Sequence, residues 1–224
     1  MRDKPVLFLQ YDPAWGATMF SNHDDPAQTI ASSGCGATTM AMVAATFVDP
    51  AIDPPTLAAF IVEQGYRTYD NGVDWGFYPW AAEHYGLRFE QTLDTDAVVE
   101  ALRAGALVVA SMGPGYFTKF GHYILLWGLD EEAGQILVND PNSETRTRAG
   151  YGLFRDEACN YFIFYEPVKV EEALPADAVK VAVGGKVVMG KLIDGVSYAP
   201  VREMAEALAC IVKWDEDTRT VTVS

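Results

Sequence analysis

The chain has 224 residues, half of them hydrophobic and 12% aromatic, enough for one medium domain or one domain with a small appendage. Lys and Arg total 16 against 31 Asp and Glu; the formal charge of −15 argues against nucleic acid and anionic membrane as partners. No apolar run reaches the roughly 18 residues of a membrane span, and the VLFL run before Gln10 is too short for the hydrophobic region of a signal peptide.

Taken in order, residues 5–10 form a short apolar run that reads as a strand and ends in the turn-rich Tyr11-Asp12-Pro13-Ala14-Trp15-Gly16. The acidic loop with His23, Asp24 and Asp25 reads as solvated rather than metal-binding. Residues 29–45, TIASSGCGATTMAMVAA, read as a polar loop running into a helix. Ser32, Ser33 and Gly34 are cap-type residues, and Met40, Val43, Ala44 and Phe47 recur at helical spacing. Asp53 caps a second helix with Pro54 in its first turn, and Gly65 closes it. Residues 76–85 read as a third helix, with Trp75, Tyr78 and Trp80 mostly in the core.

Residues 87–91 read as a strand, and Asp94 or Thr95 caps a helix that stops at Gly105. Beyond it come apolar runs at 106–112 and 121–129, a hairpin turn at 130–134, a strand at 135–139, and the strong strand YFIFY at 161–165. Helices followed by strands joined through hairpins predict an α+β domain with an antiparallel sheet over residues 1–167. Residues 168–177, acidic with Pro175, read as a linker. Residues 178–224 read as a small α+β unit: hairpin signals at Gly184-Gly185 and Asp194-Gly195, a helix at 200–209, then two strands. A unit of about 50 residues has a marginal core by itself.

Three cysteines (Cys35, Cys159, Cys210) and three histidines (His23, His84, His122) are too few for a disulfide scaffold or a zinc site, so no metal or cofactor is expected. Cys35 is different in placement. It stands at the first turn of a helix, where unpaired N–H groups and the dipole favour the thiolate, which is the nucleophile. The plain alternative is a small buried residue closing a helix–loop contact. His122 follows a Gly-rich loop at the mouth of an apolar strand, where a base would sit; a satisfied structural histidine is the alternative. Asp140 ends the strand that pairs with the His122 strand. Folding the 18 intervening residues about the 130–134 turn brings both ends to one edge of the sheet. Asp140-Pro141-Asn142 also reads as an ordinary Asx turn. Gln10, upstream of Cys35, has an amide N–H₂ suited to an oxyanion.

Gln10, Asp12 and Trp15-Gly16, then SGCGATTMAM, GHYILLWG and VNDPN, resemble the stand-alone members of the cysteine peptidase family that includes the double-glycine leader peptidases of bacterial exporters. The resemblance spans about residues 5–165. It implies a papain-like fold, Cys35 as nucleophile, His122 as base, Asp140 as its orienter, Gln10 in the oxyanion hole, and a peptide or protein substrate. The exporter peptidases usually carry an acidic residue before the Cys-Gly pair; Gly34 stands there in this chain, which argues against leader cleavage. Residues 178–224 resemble the stalk-type domain named for the N-terminal region of copper amine oxidases. That implies an extracellular or cell-surface bacterial protein, with cell-wall association or self-association through this unit. Copper is not implied, since no His follows His122. Two other functions fit the same residues: an amidase or transpeptidase acting on cell-wall peptides, and a non-catalytic peptide-binding module.

Overall fold

A computed structural model describes residues 3–70, 72–167, 177–216 and 218–224. The chain divides into two units, 1–168 and 169–224, each taken by itself. The linker expected at 168–177 falls outside the described residues, Asp177 apart.

The first unit is built on helices α1 (Ile30–Ser33), α2 (Cys35–Phe47), α3 (Pro54–Glu63) and α4 (Phe77–His84), strand β1 (Arg88–Thr92) and helix α5 (Thr95–Arg103). Strands β2 (Leu107–Met112), β3 (His122–Asp130), β4 (Gln135–Asn139) and β5 (Arg148–Gly150), helix α6 (Tyr151–Glu157) and strand β6 (Ala158–Tyr165) complete it. The strands form one antiparallel sheet in the order β1-β6-β2-β3-β4-β5. The last strand therefore inserts between β1 and β2.

Period-2 alternation decides which residues face which layer. Leu107, Val109, Tyr123, Leu125, Phe162 and Phe164 pack with α2, α3 and α4 on one face. Val108, Ala110, Ile124, Leu126, Tyr161 and Ile163 pack with α5 and Phe154 of α6 on the other. Covering on both faces explains why β2 and most of β3 are continuous apolar runs. The helices stop where the chain needs positive φ: Gly65 (φ 77°) and Gly105 (φ 85°) each follow the last turn of α3 and α5.

Three local expectations are corrected. Residues 5–10 join no ladder; Pro5 has no N–H to give, and the segment is held instead by Asn139 Nδ2, which donates to the carbonyls of Pro5 and Val6. The polar stretch before Cys35 is not a loop but the single turn α1, with Thr29 and Ser32 forming a capping box. Residues 148–160, passed over in the sequence, form β5, α6 and the start of β6.

The second unit has the antiparallel sheet β7 (Ala178–Val183), β8 (Lys186–Ile193) and β9 (Val196–Tyr198), helix α7 (Val201–Ala207), and the pair β10 (Val212–Asp215) and β11 (Thr220–Val223). Gly184-Gly185 and Asp194-Gly195 all have positive φ, as two-residue hairpin turns require.

Candidate active site

The α1–α2 junction delivers Cys35. Gly34 serves both helices: it ends α1, its N–H bonding to Ile30 O, and it is the N-cap of α2. No side chain fits there, because a Cβ would lie 2.5 Å from Ile30 O and 2.7 Å from Ile30 Cγ2. The acidic residue of the exporter peptidases is thus excluded here by the packing of α1 itself. Gly36 is similarly enclosed, by Val73, Tyr78 and Tyr123. With both neighbours lacking side chains, Cys35 heads α2 half-buried and faces a cleft of about 450 Å³. Ser33, Gly72 and Val73 line one part of that cleft and Ser111, Phe120 and His122 another.

β3 delivers His122, opposite Met112 of β2. Its Nε2 lies 2.7 Å from Asp140 Oδ1, which leaves Nδ1 for Cys35, a lining residue of the same cleft. β4 runs back antiparallel to β3, with Asn139 opposite Leu125, so Asp140 emerges at the same sheet edge. Asp140 is 1% exposed. Its Oδ1 also accepts from the Asn142 N–H at 2.8 Å, so the Asx turn and the histidine contact share one carboxylate. Its Oδ2 meets Arg146 Nε at 2.8 Å. Arg146 also donates to Phe117 O, on the Gly-rich loop beside the cleft.

The electrostatics follow from this. Burial pushes the Cys35 thiol up, but the hydrogen bond and charge of His122, with the backbone N–H groups of Tyr123 and Gly36, outweigh it and bring its pKa below the ordinary value. Burial opposes charging of His122 as well. The bonds to Asp140 and Cys35 and their charges prevail, and its pKa is raised from 6.5 to about 9. The combined effect moves the pair toward thiolate and imidazolium.

Of the four residues singled out from the sequence, His122 and Asp140 are hydrogen-bonded to each other, and Cys35 lines the same cleft as His122. Gln10 is not joined to them directly. It is 5% exposed; its Nε2 donates to Ala31 O at 2.7 Å and its backbone N–H to Pro141 O at 2.8 Å. It thus ties α1 to the residue after Asp140, and one amide N–H remains to donate. Of the other histidines, His23 stacks on Tyr69 and His84 on Trp80. No group of three metal-ligating side chains is found among the described residues. Sequence reasoning missed Arg146 and Arg67, discussed below; both are loop arginines, which ordinarily read as surface charge.

Residues 17–164 match the profile of the Peptidase_C39 like family, about two thirds of the chain. The chain belongs to that family. Its mixed helices and antiparallel sheet are the papain-like fold of that cysteine peptidase family. Gln10 lies upstream of the matched segment, and the C-terminal unit lies beyond it, so the amine-oxidase-type resemblance of that unit finds no support. Among solved structures, the chain is similar to the peptidase domain of Streptococcus ComA, a bi-functional ABC transporter involved in a quorum sensing pathway. That match has 18% identity over 61% of this chain and 93% of that one, with a TM-score of 0.47. It is also similar to a C39-like peptidase from Bacillus anthracis (14% identity, 73% and 98% coverage, TM-score 0.49). No curated protein matches the chain. None of the helices among the described residues is long and apolar enough to cross a membrane.

Proposed function

We propose that the chain hydrolyses peptide bonds, with Cys35 as nucleophile, His122 as general acid and base, and Asp140 as the group that orients the imidazole. The observation that carries this reading is the 2.7 Å contact of His122 Nε2 with the buried Asp140 carboxylate, together with Cys35 and His122 lining the same cleft. The Cys35 thiolate attacks the substrate carbonyl. Negative charge passes to the carbonyl oxygen, which is met by the Cys35 N–H, unpaired by its position at the start of α2, and by the remaining N–H of Gln10. The imidazolium of His122 gives its proton to the leaving amine, and the neutral ring then takes a proton from the water that releases the acyl group. Asp140 keeps Nε2 protonated throughout, so that Nδ1 is the working nitrogen.

Alkylation by iodoacetamide as a function of pH, with the modified residue located by mass mapping, tests the proposal. Cys35 is expected to react well below the pH of about 8.5 at which an ordinary thiol ionises, and His122→Ala is expected to remove that advantage. A Cys35 that titrates like a free thiol in the unaltered protein would sink the reading.

A further inference from the structure

Arg67 lies in the loop after α3 and is 2% exposed. Its five N–H donors are all engaged, and every acceptor is neutral. Nε donates to Phe20 O (2.8 Å), Nη1 to Thr68 O (3.0 Å) and Gly72 O (2.9 Å), and Nη2 to Gln28 Oε1 (2.9 Å) and Ser33 Oγ (3.1 Å). The ring of Phe20 lies against the guanidinium, 4.5 Å from its carbon. Among the described residues no carboxylate forms an ion pair with it. Buried charges are ordinarily paired, because desolvating a cation costs several kcal/mol. Here the hydrogen bonds are satisfied and the charge is left uncancelled.

The position of this charge gives it a use. Ser33 and Gly72, two of its acceptors, line the cleft beside Cys35, and Ser33 precedes Cys35 by two residues. A residue that only stitched the 67–73 loop to α1 would serve as well with a carboxylate against it. That carboxylate would cancel a fixed positive charge beside the cleft. Burial lowers the Arg67 pKa, and the charge of Cys35 acts on it in the opposite direction, so the two groups feel each other.

We propose that Arg67 is a positioning residue for the reaction: it ties Ser33 and Gly72 into one wall of the cleft, and its uncancelled charge favours the thiolate form of Cys35. This rests on Cys35 being the nucleophile. It adds a source of thiolate stabilisation independent of His122.

The test is the pH dependence of Cys35 alkylation in the full chain, measured for the unaltered protein, Arg67→Met, Arg67→Lys and Gln28→Glu. In Arg67→Met the acid limb is expected to move up by on the order of one pH unit, the scale of one charge roughly 12 Å away at an effective dielectric of about 20. Arg67→Lys keeps the charge and loses the fork; its limb is expected to stay near the unaltered position while its melting temperature falls. Gln28→Glu places a carboxylate on Nη2 and keeps the guanidinium, giving up only the solvent-side bonds of Gln28 to Tyr69 O and Asp70 O. It is expected to shift the limb as Arg67→Met does, and it decides the matter if Arg67→Met does not fold. If the unaltered protein shows a lowered limb that neither Arg67→Met nor Gln28→Glu moves, or if Arg67→Lys moves it as far as they do, the Arg67 proposal is overturned and the nucleophile stands. A free-thiol limb in the unaltered protein would instead overturn the reading beneath it.

Discussion

Replacing Asp140 by Asn isolates the charge of the orienting group from its hydrogen bond. The amide oxygen can still accept from His122 Nε2 and from the Asn142 N–H, both now held by Oδ1 at 2.7 and 2.8 Å. What disappears is a buried negative charge. His122 is raised from 6.5 to about 9, which corresponds to roughly 3 kcal/mol in favour of the imidazolium. Asp140 and Cys35 share that effect, so Asp140→Asn is expected to bring the alkaline limb of kcat/KM down by about one pH unit. Because the folded pKa of His122 lies above its unfolded value, the stability it contributes is complete below pH 6.5 and is lost as pH rises through about 9. In the variant that loss comes earlier. Arg146, whose side chain is 23% exposed, also loses its anion, and the melting temperature is expected to fall by a few degrees. Activity at neutral pH should fall modestly, about tenfold, since an amide serves this role in other Cys-His-Asn enzymes. Asp140→Ala removes charge and acceptor together and is expected to cost about 10²-fold or more. The assay is kcat/KM against pH on any peptide the protein cleaves. An alkaline limb unmoved in Asp140→Asn, or equal losses in the Asn and Ala variants, would refute the assignment.

Gly34→Ala is expected to lower stability by about 1–3 kcal/mol, because its Cβ meets backbone at 2.5 Å and α1 must shift; thermal unfolding reads this, and Gly34→Asp should be worse. Tyr161→Phe strips a buried hydroxyl bonded to Thr95 Oγ1 (2.8 Å) and Phe154 O (3.0 Å), leaving both partners unmet at a cost of about 1–3 kcal/mol by denaturant titration. A chain ending at residue 167 contains both core clusters and is expected to fold and keep the low-pH alkylation of Cys35. The second unit buries only Val188 and Ala205 among its apolar residues described, so by itself it should show a weak, broad melting transition by circular dichroism.

The parts of the site that were readable in the sequence are those fixed by short-range patterns. Cys35 could be placed at a helix start because the apolar period begins just after it, and the Cys35 helix does begin there. His122 and Asp140 could be paired because one hairpin separates them, and a hairpin's arithmetic needs no knowledge of the rest of the fold. The strand order was not readable: β6 slots between β1 and β2, a pairing across about 70 residues that leaves no local trace. Residues 5–10 looked like a strand because they are apolar. They are held by Asn139 and by Leu7 and Phe8 packing on the helical cluster, which a period cannot show. The two arginines were missed for a related reason. Nothing near Arg67 in the chain announces that Phe20, Gln28, Ser33 and Gly72 will converge on it, and nothing near Arg146 points to Asp140.

Those two arginines change how the charge of the site is reckoned. Asp140 contributes −1; His122 when protonated, Arg146 and Arg67 contribute +1 each, so the cluster carries +2 before the thiolate is counted and +1 with it. In a chain with a formal charge of −15 this is a local reversal of sign. The reversal matters because of what the reaction does with charge. On attack the negative charge leaves sulfur and appears on the carbonyl oxygen, so it is moved within the site rather than created or destroyed. A field that stabilises the thiolate too well would hold the charge on sulfur and slow the attack. In the mechanism proposed, fixed positive charge set back from the sulfur, as at Arg67, and N–H donors to the oxyanion, from Cys35 and Gln10, would avoid that penalty. The first lowers the energy of both states, and the second favours the later one.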